Sequence, residues 1–283
     1  MTLQIQRINP EDLEALEKAK HTMHNLGWAI KGVNSLGNVV ESKIKYIPEK
    51  ALNKLQTATQ NVLMKIIKAN LLTIQKDKAF KKPSNATYRA VVTGSGALSG
   101  FFGSTTGIGT AIFVSELGVT TKFLMRTIMD IARSEGEDIY SLEGQLACLQ
   151  VFALGGESKD DDGVETSYYS TRITLDAGLK TISASGIKMG LETVVKSVGV
   201  MGSSTLSNIV AKIASRLSLF MSEKFLAQAI PVLGAVSGGS LNFIFVNHFQ
   251  KMASAHFTVR RLERKYGVPL VQEVFEKKIE IED

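Results

Sequence analysis

Apolar residues recur along this chain every three to four positions, while runs that alternate every second position are scarce. That periodicity predicts helices and leaves few places for strands, and no hairpin dipeptide separates two alternating runs. Asn9-Pro10-Glu11-Asp12 reads as a helix start, with Asn as the cap, Pro in the first position and acids in the first turn, and the helix should run to about Gly32. Pro48-Glu49 opens a second helix. Leu52, Leu55, Val62, Leu63, Ile66 and Ile67 fall on one of its faces, and Lys50, Lys54, Lys65 and Lys68 cluster on the opposite one. Lys81-Lys82-Pro83-Ser84-Asn85 breaks the pattern. Further helices are expected at about 115–134, 141–154, 164–184, 203–223 and 241–265, with a short one after Gly267-Val268-Pro269; residues 155–163 read as the longest polar loop. The pattern predicts an all-α protein with a single multi-helix domain.

Two stretches interrupt the amphipathic pattern. Residues 90–115 and 225–250 each hold 26 residues without a charge, more than the ~20 a helix needs to cross a bilayer. Gly, Ser and Thr dilute the first below the hydropathy of an ordinary span. Pro231-Val232-Leu233-Gly234-Ala235-Val236-Ser237-Gly238-Gly239 is expected to divide the second into two helices. Gly96, Gly100, Gly103 and Gly107 recur every three to four residues, as do Gly186 and Gly190, and Gly234 and Gly238. On a helix that spacing makes a smooth groove, open to a neighbouring backbone or to an acyl chain. Each such glycine costs ~1 kcal/mol relative to alanine in an aqueous helix, so the series implies a close approach.

Composition narrows the class. With 283 residues, 44% apolar, 21% charged and a mean hydropathy of +0.07, the chain is long and apolar enough for a sizeable core and is not a disordered polymer. Its one cysteine, Cys148, sits in an apolar run and reads as a small buried hydrophobe; an internal disulfide or a cysteine zinc cluster is excluded. The first residues lack the basic-then-apolar pattern of a signal peptide, so the expected location is the cytoplasm. The net charge of +6 is unevenly spread: eleven basic residues lie between Lys43 and Arg89, opposed only by Glu49 and Asp77. Lys76, Lys78, Lys81, Lys82 and Arg89 border the first charge-free stretch, and Arg260, Arg261, Arg264 and Lys265 follow the second. Basic residues flanking apolar segments suit an anionic cytoplasmic leaflet. Nucleic acid is disfavoured, since the block has little aromatic interleaving, with Tyr46 and Phe80 widely separated, and no helix-turn-helix signature follows.

Chemical motifs mostly fail. Ala90-Val91-Val92-Thr93-Gly94-Ser95-Gly96 looks like a strand entering a dinucleotide loop, but Leu98 stands where the reductase pattern needs glycine, and no alternation of strands and helices supports it. Its downstream Tyr-x-x-x-Lys is also missing; Tyr168 is followed by Arg172. No P-loop, Gly-x-Ser-x-Gly elbow or His-Glu-x-x-His occurs. Glu17, His21 and His24 could share a helix face with a metal, yet read better as solvated surface. His248 and His256 read as partly buried polar contacts, and Asp160, Asp161 and Asp162 as an acidic loop without EF-hand spacing. No cofactor is expected.

The C-terminal third carries a family resemblance. Ile230-Pro231-Val232-Leu233-Gly234-Ala235-Val236-Ser237-Gly238-Gly239-Ser240-Leu241-Asn242, then Phe249-Gln250-Lys251-Met252-Ala253 and Phe257-Thr258-Val259-Arg260-Arg261-Leu262-Glu263, resembles the EcsC protein family of bacteria. Residues 94–109 look like its glycine-rich segment, and residues 126–138 like the stretch that follows. The resemblance covers roughly residues 45 to 267. It implies a helical extension at 1–45, an EcsC-like domain at 46–267 and a tail helix at 268–283. It also names an ABC transporter as a candidate partner, after a family member encoded beside one. The family has no established reaction, so no catalytic residue carries over.

These readings converge on a non-enzymatic, membrane-associated helical protein of the cytoplasmic face, binding lipid or a membrane transport partner. Its expected contacts with an anionic membrane surface are Lys76, Lys78, Lys81, Lys82, Arg89, Gly96, Gly100, Gly103, Gly107, Gly234 and Gly238. Two alternatives stand beside it. One is a hydrolase of lipid or peptide using Asp130, Glu135, Asp138 or Glu143 as acid or base. The other is an integral protein crossing twice, near 90–115 and 225–250.

Overall fold

The computed structural model describes residues 8–35, 62–63, 107–154, 168–173, 175–176, 213, 217 and 231–277. Every regular element among them is an α-helix, as the periodicity predicts. Helix α1, Pro10–Ser35, begins where local chemistry dictates: Asn9 is its cap, its Oδ1 accepting the Asp12 N–H at 2.9 Å, and Pro10 occupies the first position. Leu16, Ala19 and Met23, spaced three and four apart, are buried on one face.

Helix α2, Gly107–Ser134, and helix α3, Leu142–Leu154, form a hairpin. Gly136 ends α2 with φ of 77°, in the left-handed region. The Glu137 N–H bonds to Ala132 O at 2.9 Å and the Gly136 N–H to Arg133 O at 3.1 Å, the two bonds of a Schellman stop. Ser141 then caps α3, its Oγ accepting the Gly144 N–H at 3.0 Å and donating to Asp138 O at 2.7 Å. A Cβ on Gly144 would stand 2.1 Å from that Asp138 carbonyl oxygen, so only glycine lets the chain close here.

Helix α4, Pro231–Tyr266, is the axis of the fold and packs against α1, α2 and α3. Its 36 residues correspond to about 54 Å of helix. The expectation that residues 231–239 split this region is corrected, for one helix runs through them. Proline is tolerated at a first helical position, and interior glycines weaken a helix without ending it. The same underestimate of glycine placed the start of α2 near 115, whereas it begins at Gly107. The chain turns at Gly267 into helix α5, Val268–Lys277, which packs on α4 and α1.

Direction follows from two pairs. Glu143 and Phe152 of α3 meet Arg260 and Phe249 of α4, at 3.0 Å between charges and 5.2 Å between ring centroids. Helix α3 is therefore antiparallel to α4, and α2, its hairpin partner, runs parallel to α4. The core lies between them: Leu124, Met125 and Ile128 of α2, Leu149 and Phe152 of α3, and Phe245, Phe249 and Phe257 of α4. Leu63, Ile213 and Leu217 are fully buried in the same core, and Cys148 is buried there too, its thiol pushed up by desolvation. Among the described residues, no helix is long and apolar enough to cross a membrane.

Candidate functional site

The topology gathers the C-termini of α2 and α4 with the N-termini of α1 and α3 at one end of the bundle, and this end is ionic. Arg260 reaches back to the α2–α3 connection, donating to Glu137 (Nε to Oε2 at 3.1 Å, Nη2 to Oε1 at 2.7 Å) and to Glu143 Oε1 at 3.0 Å. Arg264 pairs with the same Glu137 carboxylate and donates to Glu135 O at 2.6 Å. Arg261 spans two elements, bonding Glu135 Oε2 at 2.8 Å and Asp12 Oδ1 at 3.1 Å. Asp12 also accepts from Lys265 Nζ at 2.6 Å and from the Tyr266 hydroxyl at 2.7 Å. The Lys265 bond, with those of Tyr266 and Arg261, outweighs burial and lowers the Asp12 carboxyl to about 2. For Glu137, burial pulls upward, but Arg260 and Arg264 prevail and hold it below the usual carboxylate range.

A second polar layer lies inside. Glu263 of α4 accepts from Arg172 in a two-armed pair (Nη1 to Oε1 at 2.7 Å) and from the Tyr169 hydroxyl at 3.1 Å. Arg172 also lies 3.5 Å from Asp176, whose other oxygen accepts from Gln150 Nε2 at 2.8 Å. Arg172 Nη1 donates to the Tyr168 hydroxyl at 3.4 Å, and the same hydroxyl is hydrogen-bonded to His256 Nδ1 at 3.1 Å, with the donor set by the imidazole tautomer. His256 Nε2 is a buried atom with no hydrogen-bond partner among the described residues. Burial, then the positive charges of Arg172 and Arg260, hold the imidazole well below its ordinary value, so it is neutral at pH 7. Burial pushes the Tyr168 hydroxyl up to about 12. From α5, the Phe275 ring packs 5.3 Å from both tyrosines, and its carbonyl accepts the buried Lys20 ammonium of α1 at 2.7 Å.

Each cation in these layers faces an acid or a carbonyl, and the arrangement fixes helix ends against one another. Arg260, Arg261, Arg264 and Lys265, which follow the second charge-free stretch, pair with Glu135, Glu137, Glu143 and Asp12. Sequence could not pair them, because the partners lie 117 to 253 positions away. The four acids considered for hydrolysis have structural neighbours. Glu135 and Glu143 pair with arginines, Asp138 Oδ1 accepts the Tyr140 N–H at 3.0 Å, and the buried Asp130 lies 3.7 Å from Arg126. No group of three or more His, Cys, Asp or Glu is placed to hold a metal among the described residues. His21 and His24 are exposed, as their helix face predicts.

The expected membrane contacts are placed unequally. Lys76, Lys78, Lys81, Lys82, Arg89, Gly96, Gly100 and Gly103 lie outside the described residues. Gly107 is the first residue of α2, and Gly234 and Gly238 stand in the first turns of α4. All three are at the end of the bundle opposite the ionic layer. Sequence places His256 as a partly buried polar contact, and it is buried; Tyr168 and Arg172 enter the sequence reading only as a reductase motif that fails. The one available signal was the four-residue spacing of Tyr168 and Arg172, which puts both on one helix face.

A model of the EcsC protein family matches residues 10–262, from the first residue of α1 to near the end of α4. No curated protein and no solved structure matches the chain.

Proposed function

Starting from the chain's membership of the EcsC protein family, we propose that it is a non-enzymatic protein of the cytoplasmic membrane face that binds anionic lipid. The observation that carries this reading is the internal neutralisation of the α4 cations. With Arg260, Arg261, Arg264 and Lys265 committed to acids of the same chain, the largest excess of basic over acidic residues left in the sequence is the Lys43–Arg89 block. Its eleven basic residues against two acids exceed the whole net charge of +6, so the rest of the chain is net acidic. Each Lys or Arg close to an anionic leaflet contributes ~1 kcal/mol of attraction, and a cluster of four to eight is enough for stable attachment. Lys76, Lys78, Lys81, Lys82 and Arg89 form such a cluster immediately before the charge-free stretch 90–115.

A hydrolase would need an acid or base with freedom to exchange protons with a substrate. The ion pairs of Glu135 and Glu143 and the turn bond of Asp138 occupy those side chains, which favours a binding role. A membrane transport partner is the second ligand class consistent with the same surface, and the glycines at 96, 100, 103, 107, 234 and 238 would admit either an acyl chain or a partner helix.

The test is fractionation of cells that express the full chain. A peripheral lipid binder sediments with membranes and is released by alkaline carbonate. Recovery only in detergent supports two crossings near 90–115 and 225–250, and recovery wholly in the soluble pool contradicts membrane association.

A further inference from the structure

The bundle is polarised along its length. Its ionic end holds Asp12, Glu135, Glu137, Glu143, Arg260, Arg261, Arg264 and Lys265. Toward the other end, helix α4 carries no charge from residue 231 to 250 and α2 none from 107 to 115. Because α2 runs parallel to α4, these two runs lie together. Sequence shows two charge-free stretches far apart in the chain; only the topology joins them into one end.

We propose that this charge-free end enters the apolar layer of an anionic bilayer to the depth of one leaflet, with Phe243 at its boundary. The proposal rests on the lipid-binding reading above and adds the orientation and the inserting element. Depth follows from helix geometry. The tips beyond the Phe243 level, residues 107–115 of α2 and 231–242 of α4, span about 14 and 18 Å at the helical rise. Half of a hydrocarbon core of ~30 Å is about 15 Å, so the tips fill one leaflet without crossing. That agrees with the lack, among the described residues, of any helix long and apolar enough to span.

The boundary is marked by exposed apolar side chains. Phe243 is 45% exposed on α4 and Val119 is 41% exposed on α2, each about 25 Å from the ionic layer by helical rise. Large apolar side chains left in water cost about 1.5–3 kcal/mol relative to burial, which a bilayer interface recovers. The exposed Lys122 lies one turn from Val119 toward the ionic layer and falls at headgroup depth, and Glu116 closes the charge-free run of α2. Lys76, Lys78, Lys81, Lys82 and Arg89 precede the charge-free stretch in sequence and supply cations for headgroup attraction. An anionic membrane matches both features. A second copy of the chain would match the apolar end and repel the basic block.

Cys148 is buried and its thiol is pushed up by desolvation, so introduced cysteines can be labelled against an unlabelled wild-type background. The test places an environment-sensitive nitrobenzoxadiazole on Phe243→Cys and on Val268→Cys, two exposed positions at opposite ends. With phosphatidylglycerol–phosphatidylcholine vesicles, the probe at 243 should brighten several-fold and be quenched by spin-labelled acyl chains, while the probe at 268 stays aqueous. Phe243→Ser, with its melting temperature checked, should weaken partitioning by about tenfold. Vesicle binding with the 268 probe quenched and the 243 probe wet overturns the orientation while leaving lipid binding intact. Failure of the unlabelled wild type to bind anionic vesicles removes the lipid reading and this proposal together. Vesicle-free self-association that Phe243→Ser abolishes assigns the end to a second copy and also overturns it.

Discussion

The Arg260 guanidinium grips the Glu137 carboxylate with two hydrogen bonds, at 2.7 and 3.1 Å, although 123 positions separate them in the chain. Their side chains are 7% and 6% exposed, so the pair is a buried one. Replacing Glu137 with Ala leaves Arg260, among the described residues, only its exposed partner Glu143 and costs about 3 kcal/mol, the lower end for loss of one partner of a buried pair. Glu143→Ala removes another contact of Arg260, but that carboxylate is 72% exposed and its loss should stay within about 1 kcal/mol. Denaturant titration of the two variants checks the contrast.

His256 makes stability depend on pH in a defined direction. In the fold it is neutral, facing the Tyr168 hydroxyl, with Arg172 and Arg260 as the nearby charges that oppose protonation. Unfolded, it takes a proton near pH 6.5. The unfolded state therefore binds more protons as pH falls below that value, and unfolding free energy drops by up to about 1.4 kcal/mol per pH unit from this residue alone. His256→Gln should flatten the slope between pH 6.5 and 5 by that amount. Equal slopes in the variant and the wild type would contradict the assignment.

Asp12 works at lower pH and with the opposite kind of shift. Its folded carboxyl is lowered to about 2 from 3.8, so its contribution is present above pH 4 and lost as pH falls through 2. Because Arg261 and Lys265 are 36% and 51% exposed, solvent screens the pairs and the expected contribution is about 1 kcal/mol. Asp12→Asn should speed amide hydrogen exchange in α1 with little change in α2 and α3, measured by mass spectrometry.

Legibility in the sequence followed the range of the interaction. The start of α1 was readable because Asn9, Pro10 and Asp12 act on the next turn of the same chain. The limits of α3 came within a residue because Ser141 caps it locally. Residues 231–239 misled because local glycine propensity favours a break, whereas Pro231 opens a helix that runs through them. The ionic end was illegible: Arg261 and Lys265 carry no mark in sequence of having Asp12 as partner, 249 and 253 positions away. Tyr168 and Arg172 failed as an oxidoreductase motif, and their spacing instead joins them, one turn apart, in the buried layer with His256.

Attachment of the Lys43–Arg89 block to anionic lipid is the central claim, and vesicle flotation tests it most directly. Wild-type protein should float with phosphatidylglycerol vesicles at low salt and progressively less as salt rises, since exposed charges are screened within ~10 Å at 0.1 M. Reversing Lys76, Lys78, Lys81 and Lys82 to Glu should abolish flotation while the melting temperature holds. Flotation unaffected by both salt and charge reversal would contradict the account.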